Sequence, residues 1–305
     1  MMTTRPQRLV VAVNPSASFG AGGGTGDEVA GALAAAGHDV VTLSESGFDE
    51  LRAASAAELA RGADALIVVG GDGMASLGAN LLAGTPTPLG IVPSGTGNDV
   101  ARGLGIPVGN TEAALRMLLA ALDHGPRVID AGRVTRADGS TVWFAGVLSA
   151  GFDAIVNDRA NRMRWPRGPR RYTLAMVAEL LRFKPISYRL TVDGVVRETR
   201  GMLVSVANGT SIGGGMLITP DARFDDGLLD VFVVGSLSRL EFIRIFPSVF
   251  AGRHLGHPAV SIVRGRSIRV EADAVVAYAD GERVGPLPLD VEVVPGALRL
   301  LAPIL

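Results

Sequence analysis

Short apolar runs alternate with amphipathic stretches over the first 125 residues of the chain. Apolar runs of four or five residues, bounded by glycine or polar positions, predict buried strands. The longer stretches between them predict helices, so the order is that of a doubly wound parallel sheet. The predicted strands cover residues 9–13, 40–43, 65–69 and 89–92, and the predicted helices cover 27–36, 50–61, 74–82 and 111–122.

After residue 125 the alternation stops, and strand-like runs follow one another with few helical stretches between them. Asp-Gly pairs at 138–139 and 193–194 stand where hairpin turns are needed. We therefore predict an N-terminal α/β doubly wound domain over 1–128. A mostly β, sandwich-like domain follows over 129–305, and its last strand could return to the first domain. Predicted strands cover 127–134, 141–148, 187–192, 195–199, 202–207, 228–234, 260–263, 267–271, 274–279, 289–294 and 298–301, with helices near 159–182 and 237–246.

Composition removes several classes of function. The formal net charge is −1, which gives no general attraction to nucleic acid, and there is no cysteine for disulfides or thiolate chemistry. Lys184 is the only lysine, so no Walker A loop exists and any cation at a phosphate is an arginine or a metal ion. No apolar run approaches the roughly 18–20 residues of a membrane span, and the N-terminal apolar run is too short for a signal peptide. These features predict a cytoplasmic protein that is at most peripheral to a membrane.

Three polar turns follow three of the predicted strands. Gly-Gly-Asp-Gly at 70–73 places Asp72 between glycines, Ser-Gly-Thr-Gly-Asn-Asp occupies 94–99, and Asn14 follows the first strand. Open α/β sheets bind ligands at the carboxyl ends of their strands, and glycines allow a phosphate to approach the backbone. An aspartate there can hold Mg²⁺ on a nucleotide, although an isolated Asp72 could equally cap a helix. The candidate nucleotide-binding residues are Asn14, Gly71, Gly73, Met74, Ser94, Gly95, Thr96 and Asn98.

The two glycine-rich motifs resemble those of the diacylglycerol kinase catalytic family, which includes bacterial soluble lipid kinases, sphingosine kinases and ceramide kinases. Later motifs at 151–154, 206–209, 213–216, 220–222, 225–230 and 280–282 are similar to the bacterial soluble branch, in the same order. The resemblance implies an ATP- and Mg²⁺-dependent transfer of a phosphoryl group to a lipid hydroxyl. We expect diacylglycerol as acceptor, with phosphatidic acid as product. Another lipid, an NAD kinase-like small acceptor and a weakly catalytic binding module are the alternatives.

The resemblance also assigns roles to four acidic residues. Asp72 matches the aspartate that holds the nucleotide's metal, and Asp130 matches the acidic residue that supports it. Glu282 matches the proposed general base, which would accept the proton of the lipid hydroxyl. Asp280 would orient Glu282 or share its role. From the residues alone, positions 280–282 would be only a hairpin turn.

A second acidic cluster, at 225–230, resembles a structural Mg²⁺ site of the family. Asp225 and Asp230 would supply carboxylates and Leu228 a backbone carbonyl, all oxygen ligands of the kind that Mg²⁺ prefers. The alternative is an ordinary Asp-Gly turn. The chain departs from the family at Met74, where a threonine is common, and at Leu77, where an acidic residue is usual.

An arginine-rich segment, between Arg159 and Arg171, suggests a partner surface. Six arginines and Trp165 fall within it, and no acidic residue does. Such a segment could contact anionic lipid headgroups at the inner face of a membrane, or could be a solvated surface. The expected partners are thus ATP and a lipid substrate at a membrane surface, with no nucleic acid. The family also suggests a homodimer.

Overall fold

The computed structural model describes residues 5–14, 23–151 and 185–303, together with positions 156 and 159. The chain divides into two compact units. The first comprises Met1–Ile129 with Gly296–Leu305, and the second comprises Asp130–Pro295. The predicted helix near 159–182 and the arginine-rich segment fall almost wholly outside the described residues.

The first unit alternates strands and helices. Its strands are β1 Arg8–Val13, β2 Asp39–Leu43, β3 Ala65–Gly70 and β4 Leu89–Pro93, and its helices are α1 Gly23–Ala35, α2 Phe48–Ala60, α3 Asp72–Leu82, α4 Asp99–Gly103 and α5 Thr111–His124. The strands form a parallel sheet in the order β4-β3-β1-β2. Every residue of β3 and β4 is buried, as central parallel strands covered on both faces require. The predicted doubly wound fold is confirmed.

The second unit is mostly antiparallel sheet. Its strands are β5 Arg127–Thr135, β6 Thr141–Phe144, β7 Val147–Gly151, β8 Ile186–Val192, β9 Val195–Ala207, β10 Leu229–Gly235, β11 Val260–Gly265, β12 Ser267–Glu271, β13 Val276–Ala279, β14 Glu282–Pro286 and β15 Leu289–Leu301. A helix α6, Arg239–Ile245, continues into two 3-10 turns, Phe246–Ala251 and Arg253–Gly256. Strands β5 and β15 each cross a boundary between the units. The order β14-β13-β7-β9-β8-β12-β15, with β10 paired to β9 and β11 paired to β10, agrees with the predicted β sandwich-like domain.

Strand β9 serves two apolar cores in the second unit. Val204 and Val206 belong to one buried cluster, whereas Ala207 belongs to another. Side chains alternate across a strand, so Ala207 lies on the face opposite to Val204 and Val206. The α6 segment packs on the second cluster through residues such as Phe242.

Four element predictions were wrong in detail. The predicted strand over 141–148 is broken into β6 and β7. The carboxylate of Asp280 accepts hydrogen bonds from the backbone amides at this break. Conversely, 195–199 with 202–207, and 289–294 with 298–301, are single strands that run through glycine positions. The short α4 was missed, since five residues are too few to show a helical period.

The structure also extends β15 back to the first unit. Leu300 and Leu301 pair in parallel with Leu89 and Gly90 of β4. The sheet of the first unit therefore receives a fifth strand from the C-terminus of the chain.

Candidate active site

The three polar turns of the first unit lie together at the carboxyl ends of β1, β3 and β4. The amide of Asn14 donates to the Val69 carbonyl at 3.0 Å, and the amide of Ser94 donates to the Gly70 carbonyl at 2.9 Å. Each bond joins the turn after one strand to the end of its neighbour. The sequence prediction that these turns share one edge of the sheet agrees with this geometry.

Two glycines bring the second and third turns into contact. A Cβ atom on Gly95 would lie 2.3 Å from the Gly71 Cα atom and 2.9 Å from the Gly71 nitrogen. Asn98 then fixes the turn: its Oδ1 atom accepts from the Gly95 amide at 3.0 Å, and its Nδ2 atom donates to the Gly95 carbonyl at 2.6 Å. Asn98 has φ of 58°, a left-handed conformation that asparagine tolerates. Asn98 therefore shapes the turn from within.

Asp72 connects the beginning of α3 with the beginning of α4. Its Oδ1 atom accepts hydrogen bonds from the amides of Asp99, at 2.7 Å, and Val100, at 3.3 Å. Its Oδ2 atom faces Gly97, where a Cβ atom would stand only 2.3 Å away. Any side chain at position 97 would collide with this oxygen, so Gly97 allows the carboxylate to approach the turn before α4. A carboxylate oxygen is the kind of ligand that a hard cation takes.

The candidate phosphate-binding residues differ in accessibility. Ser94, Gly95 and Thr96 are exposed, so their hydroxyl groups and backbone are open to a ligand. Met74 is only 1% exposed, its side chain lies against Gly70, and its amide donates to the Gly71 carbonyl. The structure gives the Met74 side chain a packing role, and its part in nucleotide binding stays a prediction.

We expect Gly95→Ala to disturb this edge of the sheet. The added methyl group collides with the Gly71 backbone, which cannot rotate away as a side chain could, so the two turns must separate. Gly31→Ala is the matched control, because nothing lies within 4 Å of its Cβ position in α1 and alanine favours a helix. Thermal unfolding should show a loss of about 1–3 kcal/mol for Gly95→Ala. Equal stability of the two variants would contradict the close approach.

In the second unit, the Asp280-Gly281 pair forms the hairpin turn between β13 and β14. Both residues have positive φ, 47° and 84°, as a type I′ turn requires. The Asp280 carboxylate accepts hydrogen bonds from three consecutive amides, those of Ala145 at 2.8 Å, Gly146 at 3.1 Å and Val147 at 2.9 Å. The residue is 8% exposed. These bonds give Asp280 a structural role, because they hold the break between β6 and β7.

Asn208 joins the Asp280 region to Asp130. Its Nδ2 atom donates to the carbonyls of Asp130, at 2.9 Å, and Ala145, at 3.0 Å. Asp130 is 4% exposed, and its Oδ2 atom accepts from the Gly227 amide at 2.7 Å. A single buried network thus connects Asp130, Asn208 and Asp280. The motif at 206–209 was visible in the sequence, but no role could be given to Asn208 there, since its two acceptors are distant in sequence.

Glu282 begins β14, two residues after Asp280, and pairs with Ala279 across the hairpin. It is an exposed residue, yet the protein around its carboxyl group desolvates it, and this raises its pKa above the ordinary value. Desolvation disfavours the charged form and makes a carboxylate a stronger base. Accessibility and a raised pKa are what a proton acceptor needs.

Three carboxylates of the acidic cluster at 225–230 lie beside arginines. Asp225 lies 3.7 Å from Arg223, whereas Asp230 is buried and lies 3.4 Å from the Arg264 Nε atom. Arg264 also pairs with Asp226, which was not among the predicted site residues. Burial raises the pKa of Asp230, with Asp226 and Asp221 adding to the rise while Arg264 opposes it.

Two oxygen atoms of the second unit are of the kind that a hard cation binds. The Asn208 Oδ1 atom is buried and has no hydrogen-bond partner in the described part of the chain, and Leu228 carries the carbonyl that was predicted as a ligand. However, no group of three His, Cys, Asp or Glu side chains converges among the described residues, and Arg264 already supplies positive charge. The Mg²⁺ site of Asp225, Leu228 and Asp230 stays a prediction.

Comparison with known proteins decides the family. Residues 8–134 match the diacylglycerol kinase catalytic domain, and residues 146–302 match the YegS C-terminal NAD kinase beta sandwich-like domain. A diacylglycerol kinase of Mycobacterium tuberculosis is 41% identical over 97% of this chain and 95% of its own length. The chain belongs to the diacylglycerol kinase family. It is therefore a lipid kinase, as the motifs implied.

Other relatives of this lipid kinase agree. A probable lipid kinase YegS-like protein of Stenotrophomonas maltophilia is 31% identical and is matched over 79% of this chain and 80% of its own length. A diacylglycerol kinase structure from Bacillus anthracis superposes with a TM-score of 0.71 over 97% of each chain at 24% identity, which supports the fold. An NAD kinase of Archaeoglobus fulgidus in complex with ATP shares the fold, with a TM-score of 0.54 at 15% identity over 96% of this chain and 93% of its own. Within the described residues, no helix has the length and apolar character to cross a membrane.

Proposed function

We propose that this lipid kinase transfers the γ-phosphoryl group of ATP to the free hydroxyl of diacylglycerol, which yields phosphatidic acid and ADP. The observation that carries the proposal is the near full-length match, at 41% identity, to a protein named diacylglycerol kinase. The geometry of the first unit supports it, because exposed hydroxyl groups and glycines surround Asp72 at the carboxyl edge of a parallel sheet.

Each proposed step rests on a residue of this chain. The Ser94 and Thr96 hydroxyls, which are exposed, donate hydrogen bonds to phosphate oxygens. Asp72 and the asparagine-fixed turn hold the nucleotide in place for an in-line transfer. When bound, Mg²⁺ neutralises charge on the phosphates.

We assign the proton transfer to Glu282. As the lipid oxygen forms its bond to the γ-phosphorus, the bond from that phosphorus to the bridging oxygen of ADP breaks. Glu282 accepts the proton of the lipid hydroxyl, and the electron pair of the broken bond leaves with ADP. Asp280 keeps the hairpin that carries Glu282 in place.

The proposal is tested by transfer of labelled γ-phosphate from ATP in mixed micelles with Mg²⁺. The acceptors are diacylglycerol, ceramide, sphingosine and, without micelles, NAD. The enzyme is compared with Asp72→Asn, which keeps an oxygen for the Asp99 and Val100 amides but removes the charge. We expect labelled phosphatidic acid, reduced at least about a hundredfold in the variant.

Asp49→Asn is the matched control, because Asp49 also lies in the first turn of a helix, α2, and its side chain is 91% exposed. It should retain full activity. Label on another lipid would replace the substrate and keep the chemistry, whereas label on NAD alone, or full activity of Asp72→Asn, would contradict the proposal.

A further inference from the structure

A stripe of exposed apolar side chains runs along α6 and the 3-10 turn that follows it. Leu240, Ile243 and Phe250 are 60%, 54% and 50% exposed, and Pro247 between them is exposed as well. Successive members are three, four and three residues apart, a spacing that places them on one side of a helical segment. We call these four residues the apolar stripe.

Residues on the opposite side of the segment pack against the second unit and keep the apolar stripe exposed. Phe242 and Val249 pack on the second apolar cluster of the unit, and the Val249 carbonyl accepts from the Leu217 amide at 3.1 Å. His254, 2% exposed, packs edge-on against Phe232 with ring centroids 5.4 Å apart. Burial lowers the pKa of His254, so its ring is neutral at pH 7. Because this side of the segment is anchored, the stripe cannot turn inward.

The start of the segment is fixed too. Ser238 and Glu241 form a capping box: the Glu241 amide donates to the Ser238 hydroxyl at 3.2 Å, and the Ser238 amide donates to the Glu241 carboxylate at 2.9 Å. This arrangement satisfies amides at the first turn of a short helix. A seven-residue helix that is capped and packed keeps its shape without a partner.

The charges beside the stripe favour an anionic surface. Arg244 and Arg253 are exposed. Glu241 is the acidic side chain of the segment, and the capping box engages its carboxylate. A basic, amphipathic surface of this kind binds at the headgroup level of bilayers that contain anionic lipids.

The size of the stripe argues against a second copy of the chain as its occupant. Three large apolar side chains, each about half exposed, present on the order of 300 Å². A stable protein interface buries about 800 Å² on each partner. An interfacial segment needs far less area, since it only inserts apolar side chains between headgroups while arginines remain at the surface.

We propose that the apolar stripe, with Arg244 and Arg253, docks the enzyme on an anionic lipid bilayer. The inference rests on the proposed function in one respect: a lipid acceptor dissolved in a membrane gives the enzyme a reason to bind one. It adds a surface that the resemblance did not indicate, distinct in sequence from the arginine-rich segment at 159–171.

The first test is co-sedimentation with vesicles of equal parts phosphatidylcholine and phosphatidylglycerol, without nucleotide. The variant carries Leu240→Ser, Ile243→Ser and Phe250→Ser, and the control carries Val195→Ser and Val196→Ser, two residues 58% and 48% exposed on another hairpin. We expect the triple variant to bind at least about tenfold more weakly and the control to bind as the wild type does. Equal binding by the triple variant, with unchanged thermal unfolding, would overturn the proposal.

The second test separates charge from apolar contact. Arg244→Glu with Arg253→Glu should weaken binding to the anionic vesicles, and added salt should reduce the difference from wild type. Arg197→Glu, at an exposed position of β9, is the control and should behave as wild type does. Loss of binding by the control to the same degree would mean that net charge, not this surface, attracts the bilayer.

Two further readouts keep this proposal apart from the proposed function. The triple variant should phosphorylate a short-chain diacylglycerol in detergent as the wild type does, but should be slow on vesicles. If the wild type phosphorylates no diacylglycerol yet binds vesicles through the stripe, the proposed function fails and the docking surface stands. If sedimentation velocity finds a wild-type dimer, a monomeric triple variant and unchanged vesicle binding, the stripe is a dimer contact and the docking proposal fails.

Discussion

Glu282→Gln is expected to lower kcat for phosphoryl transfer by about 10²–10⁴-fold with little change in KM for ATP. Glutamine has nearly the same shape as glutamate but cannot accept the proton of the lipid hydroxyl. Glu198→Gln, at an exposed position of β9, is the control and should leave kcat unchanged. Steady-state kinetics with diacylglycerol in mixed micelles measures both. A variant that keeps a tenth or more of wild-type kcat would remove Glu282 from the role of base.

The pH profile of the wild type gives an independent check of Glu282. Its pKa is raised from 4.5 by desolvation, so the acid limb of kcat should lie above that value, and activity should fall as the pH drops through the raised pKa. The limb should be missing from the residual activity of Glu282→Gln. The same raised pKa means that the charged carboxylate lowers folding stability above it. The variant should therefore unfold no more easily than the wild type at pH 7.

Asp280→Ala is expected to cost about 3–5 kcal/mol of folding stability, a large share of the total for a domain. The substitution leaves the Ala145, Gly146 and Val147 amides buried without the carboxylate that binds them. Each unsatisfied buried donor costs about 1–3 kcal/mol. Urea denaturation, followed by circular dichroism, measures the difference.

The chain provides its own control for this prediction. Asp193 begins another Asp-Gly hairpin turn with the same φ of 47°, and its Oδ1 atom accepts hydrogen bonds from the amides of Arg266 and Ser267. That turn is exposed, so water can replace the carboxylate and Asp193→Ala should cost less than about 2 kcal/mol. Alanine at this positive φ is strained at both positions. The difference between the two losses of stability therefore measures the cost of leaving the buried amides without an acceptor. If Asp280→Asn lost activity with full stability, Asp280 would take part in the reaction as predicted, by orienting Glu282 or by sharing its role.

Sequence periodicity was sufficient for the scaffold and for the location of the polar turns. Strands such as β3 are continuous apolar runs, and a turn that follows a parallel strand must lie at the sheet's carboxyl edge. The placement of Asp72, Gly95 and Asn98 at one edge followed from this rule. The contacts between the turns, such as that of Gly71 with Gly95, depend on the register between strands. A short stretch of sequence does not encode that register.

The second unit shows why contacts between residues distant in sequence were not predictable. Asn208 bridges carbonyls at positions 130 and 145, and Asp280 binds amides more than 130 residues earlier in the chain. No pattern within a short window encodes such partners. Likewise, the helix near 237–246 was predicted, but the exposure of its apolar side depends on what the rest of the unit covers.

The route of strand β15 has a consequence for synthesis of the protein on the ribosome. Leu300 and Leu301 lie beside β4, roughly two hundred residues after their partners Leu89 and Gly90. Domains usually fold as they emerge, N-terminal part first. Here the nascent sheet keeps β4 as an open edge until residues 300 and 301 have left the ribosome, and open edges recruit other strands. A chain that stops before residue 296, or is cut there by a protease, would therefore keep this open edge and tend to aggregate, although it still carries every proposed catalytic group.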